Sequence, residues 1–485
     1  MNLYLSIKSK KDGILLYVVF FFLISGCAVN PDISPADRNG VDNRLPEKRE
    51  RASNHSKELG RAFLKEVRKQ YQFIKEPEVN YIINRVGERI LRSIGTDPEG
   101  YHFLVVKEMS PNAFAIPGGY IFITDGLLER INSIEELAGV LAHEIAHVQR
   151  DHFFKDEKKI LAVDIATIAA ILLSQGSLAT TALAQATNID FQLQFSRENE
   201  AEADIYALSY LKKSGYNRIG LLNFFETLLF YQRFNFLDQP AYFSTHPDIP
   251  SRIKKVESLI GYDAVNKNIE KQEDMEWLRA STIIKAVRGY KVNALIKKIE
   301  TTNEEHFHYL RGLTYLKKGR IKKAIDEYMT AIKINPMNPL YHADLSQCYL
   351  LINNSESARL EALNSIELTK TSSYKNSYAA IGISHGILGI VSANKGEYKE
   401  AILHYKEGLS SMPYDFFQYI RLSQVYSMLN DRAREAFYLA IALRLDIEPE
   451  KAIERLDYAR EISVDDEGLK IKIERVIEEI TEEGI

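Results

Sequence analysis

The sequence predicts an α+β domain, mostly helical with a small sheet, followed by an all-α solenoid of paired helices. Three observations carry that prediction. Helical stretches at 56–71 and 78–95 lead into short apolar runs at 102–107 and 120–124 and then return to helix, a mixed pattern. From about Glu304 to Glu461 the pattern is helical throughout and shows an internal period. Residues 141–148, LAHEIAHV, set two histidines and a glutamate into an otherwise apolar helix, where each is costly unless a partner satisfies it.

The N-terminal elements set the compartment. Residues 1–26 have the form of a secretory signal: Lys8, Lys10 and Lys11 make a basic start, and Ile14 to Ile24 a short apolar run. That run is too short to span a bilayer as a stable helix. Leu23-Ile24-Ser25-Gly26-Cys27 resembles a bacterial lipobox, which implies that Cys27 is lipidated. Ala28 follows it, which in diderm bacteria favours the outer membrane. Residues 27–55 are polar, carry Pro31, Pro35 and Pro46, and read as a flexible tether. The expected location is the cell envelope, lipid-anchored at the periplasmic face of the outer membrane. Cys348 is the only other cysteine, so a disulfide framework is not expected. A net charge of −4 offers no footprint for a nucleic acid.

Residues 56–262 form the mixed domain, 263–303 a charged helical connector, 304–465 the repeats and 466–485 a helical tail. Gly312, Tyr315, Ala324, Tyr328, Ala331 and Pro336 occupy the spacing of a tetratricopeptide repeat. Gly389, Ala401, Tyr405, Gly408 and Pro413 fit the same template. Tyr349 and Ala358 mark a weaker copy between them, with about nine residues inserted around Thr371 to Ile381. A degenerate copy covers 416–449. Small residues fall where paired helices approach closely, and aromatics fill the gaps. Such solenoids bind peptides or partner proteins and carry no chemistry themselves.

The helix around LAHEIAHV opens with a capping box, Ser133 and Glu136. His143 and His147 are four apart and leave one face of that helix, in reach of a single zinc ion. Glu144 sits one residue round the helix, beside the metal, where a general base belongs. The extended pattern HExxHxxGxxH is absent, since its glycine and third-histidine positions hold Arg150 and Phe153, so a third ligand comes from elsewhere. In SRENEAEAD (196–204), Glu200 and Asp204 head an inward stripe with Ala207, Leu208 and Leu211. Glu200 is the candidate ligand and Asp204 the group that steadies a ligand histidine. Glu198 and Glu202 fall on other faces and are expected to be solvated.

Four stretches in order, PNAFAIPGGYIFITDGLL (111–128), LAHEIAHVQRDH (141–152), SRENEAEAD (196–204) and STHPDIPSR (244–252), carry a resemblance. Together they resemble the zinc metallopeptidase family of the CAAX prenyl endopeptidases and the bacterial heat-shock membrane protease. The resemblance implies a zincin-type metalloprotease domain with one Zn(2+), His143, His147 and Glu200 as ligands, Glu144 as general base and Asp204 behind the ligands. His246 and Arg252 are candidates for stabilising the oxyanion of the reaction, and His246 alternatively for a fourth ligand in a resting state. Asn112 and Ala113 are expected to meet a peptide through their backbone on an edge strand. Unlike the integral-membrane members, this chain shows no convincing transmembrane helix. Residues 160–186 are apolar but broken by Asp164 and Ser174 to Ser177, and read as a helical hairpin or lid.

The expected activity is zinc-dependent cleavage of misfolded or stalled envelope proteins, with the repeats binding substrate, or the outer-membrane assembly machinery as partner. The alternative is an assembly factor or chaperone with little proteolysis.

Overall fold

The computed structural model describes residues 46–152, 196–234, 241–261, 275–288, 303–370 and 377–483. The signal, Cys27, the first part of the tether and the apolar 160–186 lie outside the described residues. Residues Leu45–Ile485 form one compact unit. Among the described residues no helix is long and apolar enough to cross a membrane.

Helix α1 (Pro46–Gln70) leads to α2 (Pro77–Ser93), whose first turn accepts proline because its N–H would be unpaired there. Val79, Ile83, Val86 and Ile90 recur at helical spacing on α2 and bury one face. Gly87 lies on that face because a Cβ there would come within 2.2 Å of the Phe103 ring. The sheet has three strands, β1 (His102–Val106), β2 (Ala113–Ile116) and β3 (Tyr120–Thr124), in the order β1-β3-β2. Strand β1 runs parallel to β3, and β2 is antiparallel to it, so β2 is an edge. A short helix α3 (Asp125–Arg130) follows, with Thr124 as its N-cap.

Helix α4 (Ile134–Gln149) is buried along nearly its whole length. The Ser133 hydroxyl accepts from the Glu136 N–H at 3.2 Å, as the capping box requires. The Glu136 carboxylate reaches one residue further back and accepts from Asn132 N–H at 3.0 Å. The helix is pressed from several sides by α2, by α5 (Arg197–Ser214), by α6 (Ile219–Phe234) and by strand β2. Gly139 allows the closest crossing, since a Cβ there would stand 2.7 Å from the Leu221 backbone nitrogen of α6. At its end Asp151 takes a left-handed backbone, φ 52°, which turns the chain back so that His152 is buried. Two further helices follow, α7 (Ala241–Thr245) and α8 (Ile249–Ile260), and α8 packs against α5 and α6. Part of the expected connector is helix α9 (Met275–Val287), whose Trp277, Ala280, Ile283 and Ile284 belong to the same core.

Among the described residues the repeats form five helical hairpins: α10 (Glu304–Lys317) with α11 (Ile321–Ile334), α12 (Pro339–Leu351) with α13 (Ser355–Thr369), α14 (Tyr378–Asn394) with α15 (Tyr398–Ser411), α16 (Phe416–Met428) with α17 (Arg432–Leu445), and α18 (Pro449–Ile462) with α19 (Glu467–Glu483). Why glycine recurs is visible at two of them. A Cβ at Gly312 would meet the Tyr328 ring at 2.9 Å, and one at Gly389 the Tyr405 ring at 2.6 Å. Helix α19, read from sequence as a tail, shares a core with α18 and α17 through Leu469, Ile473 and Ile480.

The repeats are fastened to the first domain by charge. Arg279 of α9 is 1 % exposed and donates to the Tyr309 hydroxyl at 2.5 Å, to both Asp344 oxygens and to Glu78 at 2.8 Å. Lys317 meets Glu76 at 2.6 Å, and at the far end of the array Arg68 meets Glu448 at 2.6 Å. Burial works against a charged Glu78, yet Lys317 and Arg279 hold its carboxyl down at about 2.

Candidate metal centre

Helix α4 places His143 and His147 side by side, with their Nε2 atoms 3.0 Å apart. Helix α5, capped by Ser196, delivers Glu200 against both: its oxygens lie 3.5 Å from His143 Nε2 and 3.3 Å from His147 Nε2. The segment after α7 brings His246, whose Nδ1 is 3.1 Å from Glu200 and 3.4 Å from His143 Nε2. All four side chains are buried, and one ligand atom from each lies within 4.8 Å of the rest. Among the described residues this is the group of histidines and carboxylates that meets such a criterion.

The residues fit a metal ion. Imidazole nitrogens converging on a carboxylate in a dry pocket repel unless a cation or proton lies between them, and two or three nitrogens with one oxygen are a zinc-type donor set. Glu144 adds a second sign. It is fully buried, and neither of its carboxylate oxygens has a hydrogen-bond partner among the described residues. His246 Nε2 lies 3.6 Å from one of them. Burial raises its carboxyl above the ordinary range, opposed by His246 and His143. An orphaned carboxylate beside a metal-type cluster is placed to take a proton from a molecule entering there.

Behind the cluster, Asp204 lies 3.1 Å from His143 Nδ1. Burial and Arg252 oppose protonation of His143, but Asp204 and Glu200 outweigh them and raise it to about 9. The other ring behaves oppositely, and burial holds His147 well below the usual imidazole range. Glu200, despite burial, is kept well below the ordinary carboxylate range by Arg252 and His246.

Two sequence-derived roles change in this geometry. Arg252 was a candidate for oxyanion stabilisation, but its guanidinium grips Glu200 at 2.5 Å and Asp204 at 2.6 and 2.8 Å. It stacks over Phe225 at 4.3 Å and holds the two carboxylates in place. Of Asn112 and Ala113, only the second presents its backbone to the open edge. The Asn112 carbonyl accepts from Thr124 N–H at 2.9 Å and the Asn112 N–H donates to the Thr124 hydroxyl at 2.9 Å. Antiparallel alternation then turns Ala113 and Ala115 outward. The Ala113 carbonyl accepts from His246 Nε2 at 3.2 Å. Glu198 is exposed as expected, whereas Glu202 is bonded to His152 and Arg150 and is not simply solvated.

The fold and the site together define a metallopeptidase domain joined to an array of helical repeats. Residues 77–260 match peptidase family M48. Residues 308–351 match the TPR repeat. Among similar proteins, one from Vibrio cholerae, provisionally named a beta-barrel assembly-enhancing protease, is 28% identical over 298 residues, 58% of this chain and 61% of that one. The Beta-barrel assembly-enhancing protease of Escherichia coli is 26% identical over 204 residues, 40% of this chain and 42% of its own. The Mitochondrial metalloendopeptidase OMA1 of Schizosaccharomyces pombe is 31% identical over 185 residues, 37% of this chain and 52% of its own. The chain thus spans about half the length of the curated relatives it matches.

Proposed function

We propose that the protein is a zinc-dependent endopeptidase of the bacterial cell envelope that cleaves misfolded or stalled envelope proteins. One observation carries the reading: Glu144, buried with both oxygens unbonded, stands beside the converged His143, His147, Glu200 and His246. His143, His147 and Glu200 would hold the zinc ion, which supplies a Lewis acid for the scissile carbonyl and a more acidic water. Glu144 takes the proton of the attacking water and returns it to the nitrogen of the leaving amine.

The substrate enters as an extended strand on the open edge of β2, bonded by the backbone of Ala113 and Ala115. That mode reads unfolded polypeptide rather than a particular sequence. His246 now holds the Ala113 carbonyl and also faces the ligands, so it must withdraw for a peptide to pair there. Once displaced, its imidazole is placed to donate to the oxyanion. The repeats bind the substrate or an assembly partner, and a lipid on Cys27 holds the protein at the outer membrane. The names of the relatives support the envelope setting.

The test is metal analysis of the purified protein together with cleavage of casein. One zinc per chain and chelator-sensitive cleavage are expected. A protein with no bound metal overturns the reading, and a zinc-loaded protein without cleavage favours an assembly factor.

A further inference from the structure

We propose that Arg150, Glu202 and His152 form a hydrogen-bond relay that fixes the tautomer and orientation of His147 for metal binding. The proposal rests on the metal-site reading above and extends it to residues that do not touch the metal. His152 Nδ1 lies 3.0 Å from His147 Nδ1, and His152 Nε2 lies 3.1 Å from Glu202 Oε2. The other Glu202 oxygen accepts from Arg150 Nε at 2.7 Å. The four groups thus form an unbroken line from the surface to the ligand.

The direction of every bond in that line follows from chemistry. A carboxylate is an acceptor only, so the proton of a neutral His152 sits on Nε2. Its Nδ1 is then an acceptor, and the facing Nδ1 of His147 must be the donor. That leaves a lone pair on His147 Nε2, the atom that faces Glu200 and His143. The opposite tautomer would aim an N–H at the metal position and exclude binding through this nitrogen. The line therefore selects the one tautomer of His147 that can be a ligand.

Energy alone does not account for the arrangement. The Arg150–Glu202 pair is 40% and 28% exposed in its side chains, and such pairs contribute little to stability. His152, by contrast, is wholly buried, and its imidazole is costly there unless its nitrogens are bonded. The chain reaches this position only through the left-handed turn at Asp151. Arg150 is further fixed over the Tyr206 ring at 4.7 Å, on the same helix α5 as Glu202.

The test compares the full chain with His152→Ala, Glu202→Ala and, as control on an exposed position of the same helix, Glu198→Ala. Zinc affinity is read by chelator competition, the ligand field by the visible spectrum of the cobalt(II) form, and the metal-free fold by urea unfolding. Both relay variants are expected to bind zinc about 10–100-fold more weakly and to shift the cobalt band. Glu198→Ala should match the wild type throughout. The urea midpoint of metal-free Glu202→Ala should fall only slightly, because Glu202 is partly exposed and water can take its place at His152 Nε2. If His152→Ala does not fold, Glu202→Ala decides. Zinc affinity within twofold of a metal-binding wild type, or a loss of affinity that only tracks a loss of metal-free stability, overturns the relay alone. A wild type that takes up neither zinc nor cobalt overturns the metal-site reading and the relay with it.

Discussion

The Asp204 carboxylate lies 3.1 Å from Nδ1 of His143, on the side of the ring away from the cluster. It accepts the Nδ1 proton and leaves Nε2 to face the metal position. Helix α5 thus supplies a candidate ligand, Glu200, and, one turn on, the group that steers a ligand of α4. Asp204→Asn is expected to weaken zinc binding about 10–100-fold, because an amide no longer imposes the tautomer and loses the charge that Arg252 holds. Chelator competition measures it, and unchanged affinity would remove Asp204 from that role.

Glu144→Gln should keep one zinc per chain while peptide hydrolysis falls by about 10²–10⁴, since only proton transfer is lost. Metal analysis and the initial rate on a quenched peptide check both halves. Undiminished hydrolysis would sink the base assignment.

Glu200→Ala should lose zinc and activity together. It also leaves Arg252, which grips Glu200 at 2.5 Å, with less compensation in a buried place. The exposed Glu198→Ala should be silent in both assays. Equal effects at the two positions would contradict the inward stripe of α5.

Gly139→Ala should destabilise the protein by about 1–3 kcal/mol, because its Cβ would press on the Leu221 backbone, which cannot rotate away. The helix that carries both histidines would shift with it. A urea titration gives the stability change, and an unchanged midpoint would refute the close crossing of α4 and α6.

Glu78 makes stability sensitive to acid. Its carboxyl titrates at about 2 in the folded protein, below its ordinary value near 4.5. The stabilisation is therefore complete above about pH 4.5 and is lost as the pH falls toward 2. The shift corresponds to about 3 kcal/mol. Glu78→Gln should be less stable at pH 7 and should show a shallower loss between pH 4.5 and 2. Parallel curves for the two proteins would refute the link.

What was legible in the sequence is what local spacing encodes. His143 and His147 share a face because four residues are about one helical turn, and Ser133 caps its helix through the neighbouring Glu136. The glycine–tyrosine pairs of the repeats follow from their period. The family resemblance located His246, which no spacing rule joins to a helix more than a hundred residues away. Its bond to the Ala113 carbonyl depends on which backbone atoms of β2 face outward, and a motif does not record that. Glu202 was misplaced because periodicity along α5 says nothing of His152, which arrives through the turn at Asp151. A signal existed: His152 is the third histidine within ten residues in a chain that has only 11. Arg252 was noticed, but only three-dimensional proximity shows that two carboxylates occupy it.

The Arg279 cluster bears on how such a chain can be recombined. Its members come from α2, α9, α10 and α12, so a crossover between the peptidase core and the repeats divides the arginine from Tyr309 and Asp344. A graft that brought in repeats without an acid at the position of Asp344 would bury a cation against a single carboxylate, at a cost of about 3–5 kcal/mol. The first two hairpins are therefore expected to be exchangeable only together with the core that carries Arg279.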